Sequence, residues 1–161
     1  MPGRILIVDD SVELRVLIGR ILRRSGYDVV EVGDAVSAIA SVQKESFDAV
    51  VSDVNLPGMG GLELLRTLRD RDASLPVLLI SGAPDLETAL GAVELGAFVF
   101  LTKPFDAAKL LESVERAVDK RRSSLSASVA MRAQEKGDTL EPPEGRLGSL
   151  IGERYRLRSL L

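Results

Sequence analysis

The chain has no cysteine and no histidine among its 161 residues. Without cysteine there are no disulfides, no thiolate metal sites and no cysteine nucleophile. Without histidine there is no imidazole general base, no imidazole metal ligand and no phosphohistidine on this chain. No apolar run approaches the roughly 18 residues that a membrane-spanning helix needs. The opening MPGRILIVDD puts acids directly after a short apolar run, so no cleavable signal pattern is expected. Any chemistry must run on carboxylates, lysine and hydroxyls.

The remaining composition is that of a chain able to fill a core, 45% apolar and 28% charged. Its charge is unevenly spread. Residues 1–119 carry 12 Lys/Arg against 19 Asp/Glu, a net −7, while 120–161 carry 9 against 5, a net +4. The acidic part is unsuited to gripping nucleic acid, and the asymmetry suggests two units joined end to end.

Five short apolar runs recur at nearly even spacing: RILIV (4–8), YDVVEV (27–32), FDAVVS (47–52), PVLLIS (76–81) and FVFL (98–101). Several are near-continuous in Val, Ile and Leu, as strands covered on both faces should be. Stretches of helical period separate them. Leu14, Leu17, Ile18, Ile21 and Leu22 repeat at three and four residues, with Gly26 as a stop. Ala35, Ala38, Ile39 and Val42 follow suit, then Gly61, Leu64, Leu65 and Leu68, then Leu86, Ala89, Leu90 and Val93 before Gly96. A last helix is expected to bury Ala107, Leu110, Leu111, Val114, Ala117 and Val118. Strand and helix alternating five times predict a five-stranded parallel sheet, doubly wound, with right-handed crossovers.

In such sheets the functional crevice lies at the carboxyl ends of the strands. Asp9 and Asp10 follow the first strand, Asp53 the third, Ser81 the fourth, and Lys103-Pro104 the fifth. Three carboxylates on one rim repel one another and call for a cation. An all-oxygen ligand set selects a hard divalent ion, Mg²⁺. A carboxylate flanked by a cation, an ammonium and a hydroxyl is built to handle a phosphoryl group.

Blander roles exist for each residue. Asp10, three residues before Glu13, has the spacing of a capping box. Asp53 precedes the turn residues Pro57 and Gly58. Ser81 is able to bond neighbouring backbone, and Lys103 stands before a proline. Gly58, Gly60 and Gly61 read as loop and close packing, since no phosphate-cradling GxxxxGK[ST] pattern accompanies them.

Residues 4 to about 120 resemble a response-regulator receiver domain: the acids of ILIVDD, the Asp of VVSDVNLPGMGGLELL, the hydroxyl of LLISG, and the lysine-proline of FVFLTKPF. The resemblance implies a flavodoxin-like (βα)5 fold and a cytoplasmic two-component signalling role. It implies that Asp53 accepts phosphate from a histidine kinase. It also implies that Asp10, Asp53 and the backbone carbonyl of Asn55 hold Mg²⁺, with Asp9 acting through water. Ser81 and Lys103 would contact the phosphoryl oxygens, and Phe100 would be the switch aromatic. Lacking a phenolic hydroxyl, Phe100 would switch by packing; its other reading is a plain core residue. A cis Lys103–Pro104 bond would aim the ammonium back across the sheet. The only chemistry expected is phosphotransfer to Asp53 and its reversal. The face made by the fourth helix, fifth strand and fifth helix, roughly Asp85 to Lys120, would carry the signal to a second copy or an effector.

Two alternatives compete. A carboxylate-nucleophile phosphatase uses similar parts, but resembles a pattern whose nucleophile ends the first strand with a second Asp two residues on; here position +2 is Asn55. A phosphorylation-independent binding module would not require all five positions to be filled with competent residues.

The sequence divides into the receiver-like residues 1–122, a Ser-rich then Pro/Gly-rich linker at 123–149, and a tail at 150–161. The tail sequence LIGERYRLRSLL resembles the opening strand of bacterial Ser/Thr protein kinase domains, which would make the chain the input end of a longer protein. It reads equally as a basic tail.

Overall fold

The computed structural model describes residues 3–83 and 85–136, with side chains as far as Leu125. Five strands and five helices alternate: β1 Arg4–Val8, α1 Val12–Arg24, β2 Asp28–Val32, α2 Ala35–Lys44, β3 Ala49–Asp53, α3 Gly61–Arg71, β4 Val77–Ser81, α4 Leu86–Glu94, β5 Val99–Thr102 and α5 Ala107–Lys136. All strand pairs are parallel, in the order β2-β1-β3-β4-β5. The chain starts at β1, steps out to β2 and returns past it to β3. The winding direction therefore reverses between β1 and β3, which is where an open sheet of this kind leaves a crevice.

The strands are apolar on both sides because both sides are covered. On one face Ile5, Ile7, Val51, Leu78 and Ile80 pack against Ile18 and Leu22 of α1 and Leu110, Val114 and Ala117 of α5. On the other, Leu6, Val8, Val50, Val77 and Leu79 pack against Ala35 and Ala38 of α2, Leu64, Leu65 and Leu68 of α3, and Ala92 of α4. Consecutive strand residues thus serve opposite cores.

Local signals set the helix ends. Gly26 sits at φ +94, a conformation that L side chains rarely adopt, and its N–H bonds the Arg23 carbonyl while that of Tyr27 reaches back to Leu22. Gly96 closes α4 in the same way.

The helical stripes meet different surroundings, and the expected burial of Ala107 and Leu111 needs correction. The α4 stripe does not face the core: Leu86, Leu90 and Val93 are 74%, 53% and 72% exposed, and Ala92 is the helix's buried residue. A period of three and four identifies an apolar face without saying what that face meets. In α5, Ala107 is exposed and Leu111 half-buried, because the core contact begins only at Leu110. In α1, Leu17 is 46% exposed, at the edge of the stripe centred on Ile18 and Leu22.

The chain divides into a compact unit, Met1–Ser124, which holds the sheet, and a second unit, Leu125–Leu161. α5 continues to Lys136, so residues 123–136 are helical. The rest of the stretch read as linker, and the tail at 150–161, lie outside the described residues.

One glycine matters for sterics alone. A Cβ built on Gly61, the first residue of α3, would come 2.4 Å from the Asp53 carbonyl oxygen and 2.7 Å from the Val54 Cα. Both are backbone atoms that cannot swing aside. Alanine is ordinarily the better helix former by about 1 kcal/mol, but the overlap here costs more. Gly61→Ala is expected to lower stability by about 1–3 kcal/mol, read as a lower urea midpoint. An unchanged or raised midpoint would mean that α3 retreats from β3 freely.

Candidate functional site

Strand register builds the site. Val8 pairs with Ser52, so the next residues along, Asp9 and Asp53, emerge at the same level of neighbouring strands. Asp53 pairs with Ile80, which puts Ser81 one step higher on β4. Ser81 pairs with Thr102, and the Lys103 N–H donates to the Ser81 carbonyl at 2.8 Å. The Lys103–Pro104 bond is cis.

The side chains converge. Asp9, Asp10 and Asp53 each offer a carboxylate oxygen, and the three lie within 4.8 Å of one another. Asp9 and Asp53 are buried and Asp10 is exposed. Lys103 Nζ stands 3.1 Å from Asp53 Oδ2, while the other oxygen, Oδ1, accepts the Asn55 N–H at 3.1 Å. Ser81 is buried, and its Oγ accepts the Ala83 N–H at 3.3 Å, which leaves its own proton free to donate. Phe100 of β5 pairs with Leu79 of β4 and packs, half-buried, against the core on the α2-α3-α4 face.

The electrostatics are unbalanced. Among the described residues, the cluster of three carboxylates is offset at ion-pair distance by Lys103 alone. At an intermediate dielectric each like-charged pair at this separation costs about 3 kcal/mol. The Asp9 carboxyl is raised above its ordinary value by burial first, with Asp53 and Asp10 adding to the rise; the Ser11 backbone bond and Lys103 oppose it. The donor set is all oxygen and open at Asp10, which fits a hard divalent cation and not a soft one.

The capping-box reading of Asp10 does not hold. The N-cap of α1 is Ser11, whose side chain accepts the Leu14 N–H at 3.3 Å. The Asp9 carboxylate takes the Ser11 N–H at 2.8 Å. Ser11 carries a plain sequence signal, a serine directly ahead of a helical run. Arg15 does not: its guanidinium donates to the Asp9 carbonyl at 2.6 Å and fixes the acidic loop, yet in sequence it is one more arginine on a helix.

A doubly wound α/β unit with a lysine-paired acidic cluster at its carboxyl edge is the architecture of a phosphorylation switch. Residues 5–115 match the response regulator receiver domain family, and the chain belongs to it. It is 41% identical over 119 residues to the C4-dicarboxylate transport transcriptional regulatory protein DctD of Pseudomonas aeruginosa, a match covering 74% of this chain and 26% of that protein. It is 31% identical to the sporulation initiation phosphotransferase F of Bacillus subtilis, over 72% of this chain and 94% of that one. Among solved structures, a CheY-like receiver domain protein from Methanospirillum hungatei superposes with a TM-score of 0.74 at 28% identity, covering 77% of this chain and 99% of that one. The match spans about a quarter of the length of DctD and of the response regulator protein FleR. The unit is therefore a receiver of two-component signalling, a class that binds Mg²⁺ at an acidic pocket and is phosphorylated by sensor histidine kinases.

The raised Asp9 carboxyl has a measurable consequence. A group whose pKa rises on folding costs stability wherever it is ionised, so the cost is absent below the ordinary value of 3.8 and complete above the folded value. Asp9→Asn, which keeps an oxygen for the Ser11 N–H, is expected to melt higher than wild type in EDTA near pH 7 and to lose that advantage near pH 3. An advantage of equal size at both pH values would assign the effect to packing, not charge.

Proposed function

We propose that Asp53 is the phosphoacceptor of this receiver and that the sensor histidine kinase is its donor. The observation that carries the reading is the Lys103–Asp53 contact of 3.1 Å beside two further carboxylates at the carboxyl edge of the sheet. An Asp53 carboxylate oxygen attacks the donor phosphorus, the P–N bond of phosphohistidine breaks with its electron pair leaving to the imidazole, and an acyl phosphate remains on Asp53. Lys103 passes from carboxylate to phosphoryl oxygen, and the Ser81 hydroxyl donates to another. Asp10, Asp53 and the Asn55 carbonyl are the groups that would hold Mg²⁺, with Asp9 acting through water. The ion, when bound, supplies positive charge against the phosphoryl oxygens. Phosphotransfer to Asp53 and its hydrolytic reversal are the only reactions assigned to the unit, in a cytoplasmic setting.

The signal leaves through the α4-β5-α5 face. Ser81 moves toward the phosphoryl group, the loop after β4 follows, and Phe100 turns into the vacated space. The exposed Leu86, Leu90 and Val93 on a helix held by one buried alanine support this face as the one that changes partners. The reader is a second copy or an attached effector, as in relatives named as transcriptional regulators. A shift of a few kcal/mol is enough to exchange the two states. Nucleic acid is not a partner of this acidic unit, and no helix among the described residues is long and apolar enough to cross a membrane.

Acetyl phosphate is expected to label wild-type protein in intact-mass measurements, with labelling lost in Asp53→Asn and in EDTA. Equal labelling of the two proteins would overturn the assignment. Beryllofluoride, a mimic of the aspartyl phosphate, is expected to move amide resonances at Phe100 and along α4. Shifts confined to the strand ends would rule out this exit route, whereas moved resonances without dimers would identify an effector as the reader.

A further inference from the structure

The sheet has a second concave end. Opposite Asp53, where β4 and β5 begin, a cavity of about 620 Å³ opens between the last turn of α3, the turn after α4 and the outer face of α5. Arg69, Lys120 and Ser124 supply its polar groups, and Pro76, Ala97 and Phe98 its apolar wall. The volume lies within the range of small-molecule sites, about 300–1,000 Å³.

Its lining is cationic although most of the sheet-bearing unit is acidic. Residues 1–119 are net −7, yet no carboxylate lines this cavity. Asp72, close by in sequence, is engaged elsewhere: its carboxylate takes Arg121 Nη1 at 2.8 Å and the Ser74 hydroxyl at 2.7 Å. Among the described residues neither Arg69 nor Lys120 forms an ion pair. The Arg69 guanidinium is nevertheless held in place. It donates to the Ala73 carbonyl and lies across the Gly96 turn, where an added Cβ would come 3.0 Å from its Nε. Two cations without a counter-charge, one of them fixed, border a hydroxyl and an apolar wall.

We propose that this cavity binds a phosphorylated small organic molecule of nucleoside monophosphate size. A planar guanidinium and a mobile ammonium form the usual pair for phosphate oxygens, and Ser124 adds a donor. The apolar wall of Pro76, Ala97 and Phe98 is unused by inorganic phosphate but offers area to an organic moiety. The ligand joins the end of α3 to α5 through Arg69 and Lys120, on the side of the sheet remote from Asp53. It therefore adds an input independent of the phosphoacceptor.

Titration of ¹⁵N-labelled full-length Asp53→Asn protein in EDTA, with adenosine monophosphate and separately with inorganic phosphate, tests this with the acidic pocket silenced. The nucleotide is expected to shift the amides of Gly96, Ala97, Lys120 and Ser124 and to bind more tightly than phosphate. Lys120→Gln, at an exposed position, and Ser124→Glu, which adds a carboxylate at the rim, are each expected to weaken binding about tenfold or more while leaving the melting temperature of the free protein unchanged. Unmoved amides, or equal affinity in both variants and the parent, would overturn the site. Phosphate binding as tightly as the nucleotide would overturn the organic ligand.

Discussion

The repulsion among three carboxylates gathered where β1 and β3 end is the constraint around which the unit is built. Parallel register brings Asp9 and Asp53 to one level, and burial removes the water that would have separated their charges. A fold that buries two of three neighbouring acids accepts a standing electrostatic cost, and the surrounding bonds hold the acids in place against it. Ser11 N–H and Arg15 fix the Asp9 loop from α1, and Asn55 N–H and Lys103 grip Asp53 from two sides. A cation or a phosphoryl group entering the pocket meets a geometry already assembled, which is the condition for electrostatic work without reorganisation.

Packing around the sheet is uneven. α3 puts Leu64, Leu65 and Leu68 fully into the core, and α5 does so with Leu110, Val114 and Ala117. α4 contributes Ala92 and turns its larger apolar residues outward. Each large side chain buried contributes about 1.5–3 kcal/mol, and α4, like α2, buries only alanine fully, so it has less to lose by moving than α3 or α5. It leads into β5, whose Phe100 packs against the same core face as Ala92.

Much of this was legible in the sequence. The five apolar runs fell on the five strands, and the rule that sites form at strand ends picked out Asp9, Asp10, Asp53, Ser81 and Lys103, which the fold brings to one rim. Strand burial on both faces leaves short continuous apolar runs, which their length and β-branched content separate from buried helix. The orientation of α4 was not legible, because Leu86, Leu90 and Val93 make the same pattern whether their face meets a core or solvent. Ala107 was misread for a related reason: small size says nothing about depth. Arg15 escaped because its role depends on a carbonyl six residues away, and no side-chain type encodes a backbone acceptor.

The glycine that opens α3 also sets the direction in which the pocket is able to yield. The Asp53 main chain is pressed against Gly61 on one side, and the bonds from Val54 N–H to the Ile80 carbonyl and from Gly61 N–H to the Val54 carbonyl lock the strand end to its neighbours. On that flank the pocket wall is stiff, with backbone against backbone and no side chain to compress. On the other flank stand the Ser81–Ala83 loop and the sparsely anchored α4, which are compliant. A displacement at Asp53 therefore meets backbone on one flank and a less densely packed flank on the other, an asymmetry set by a missing methyl group.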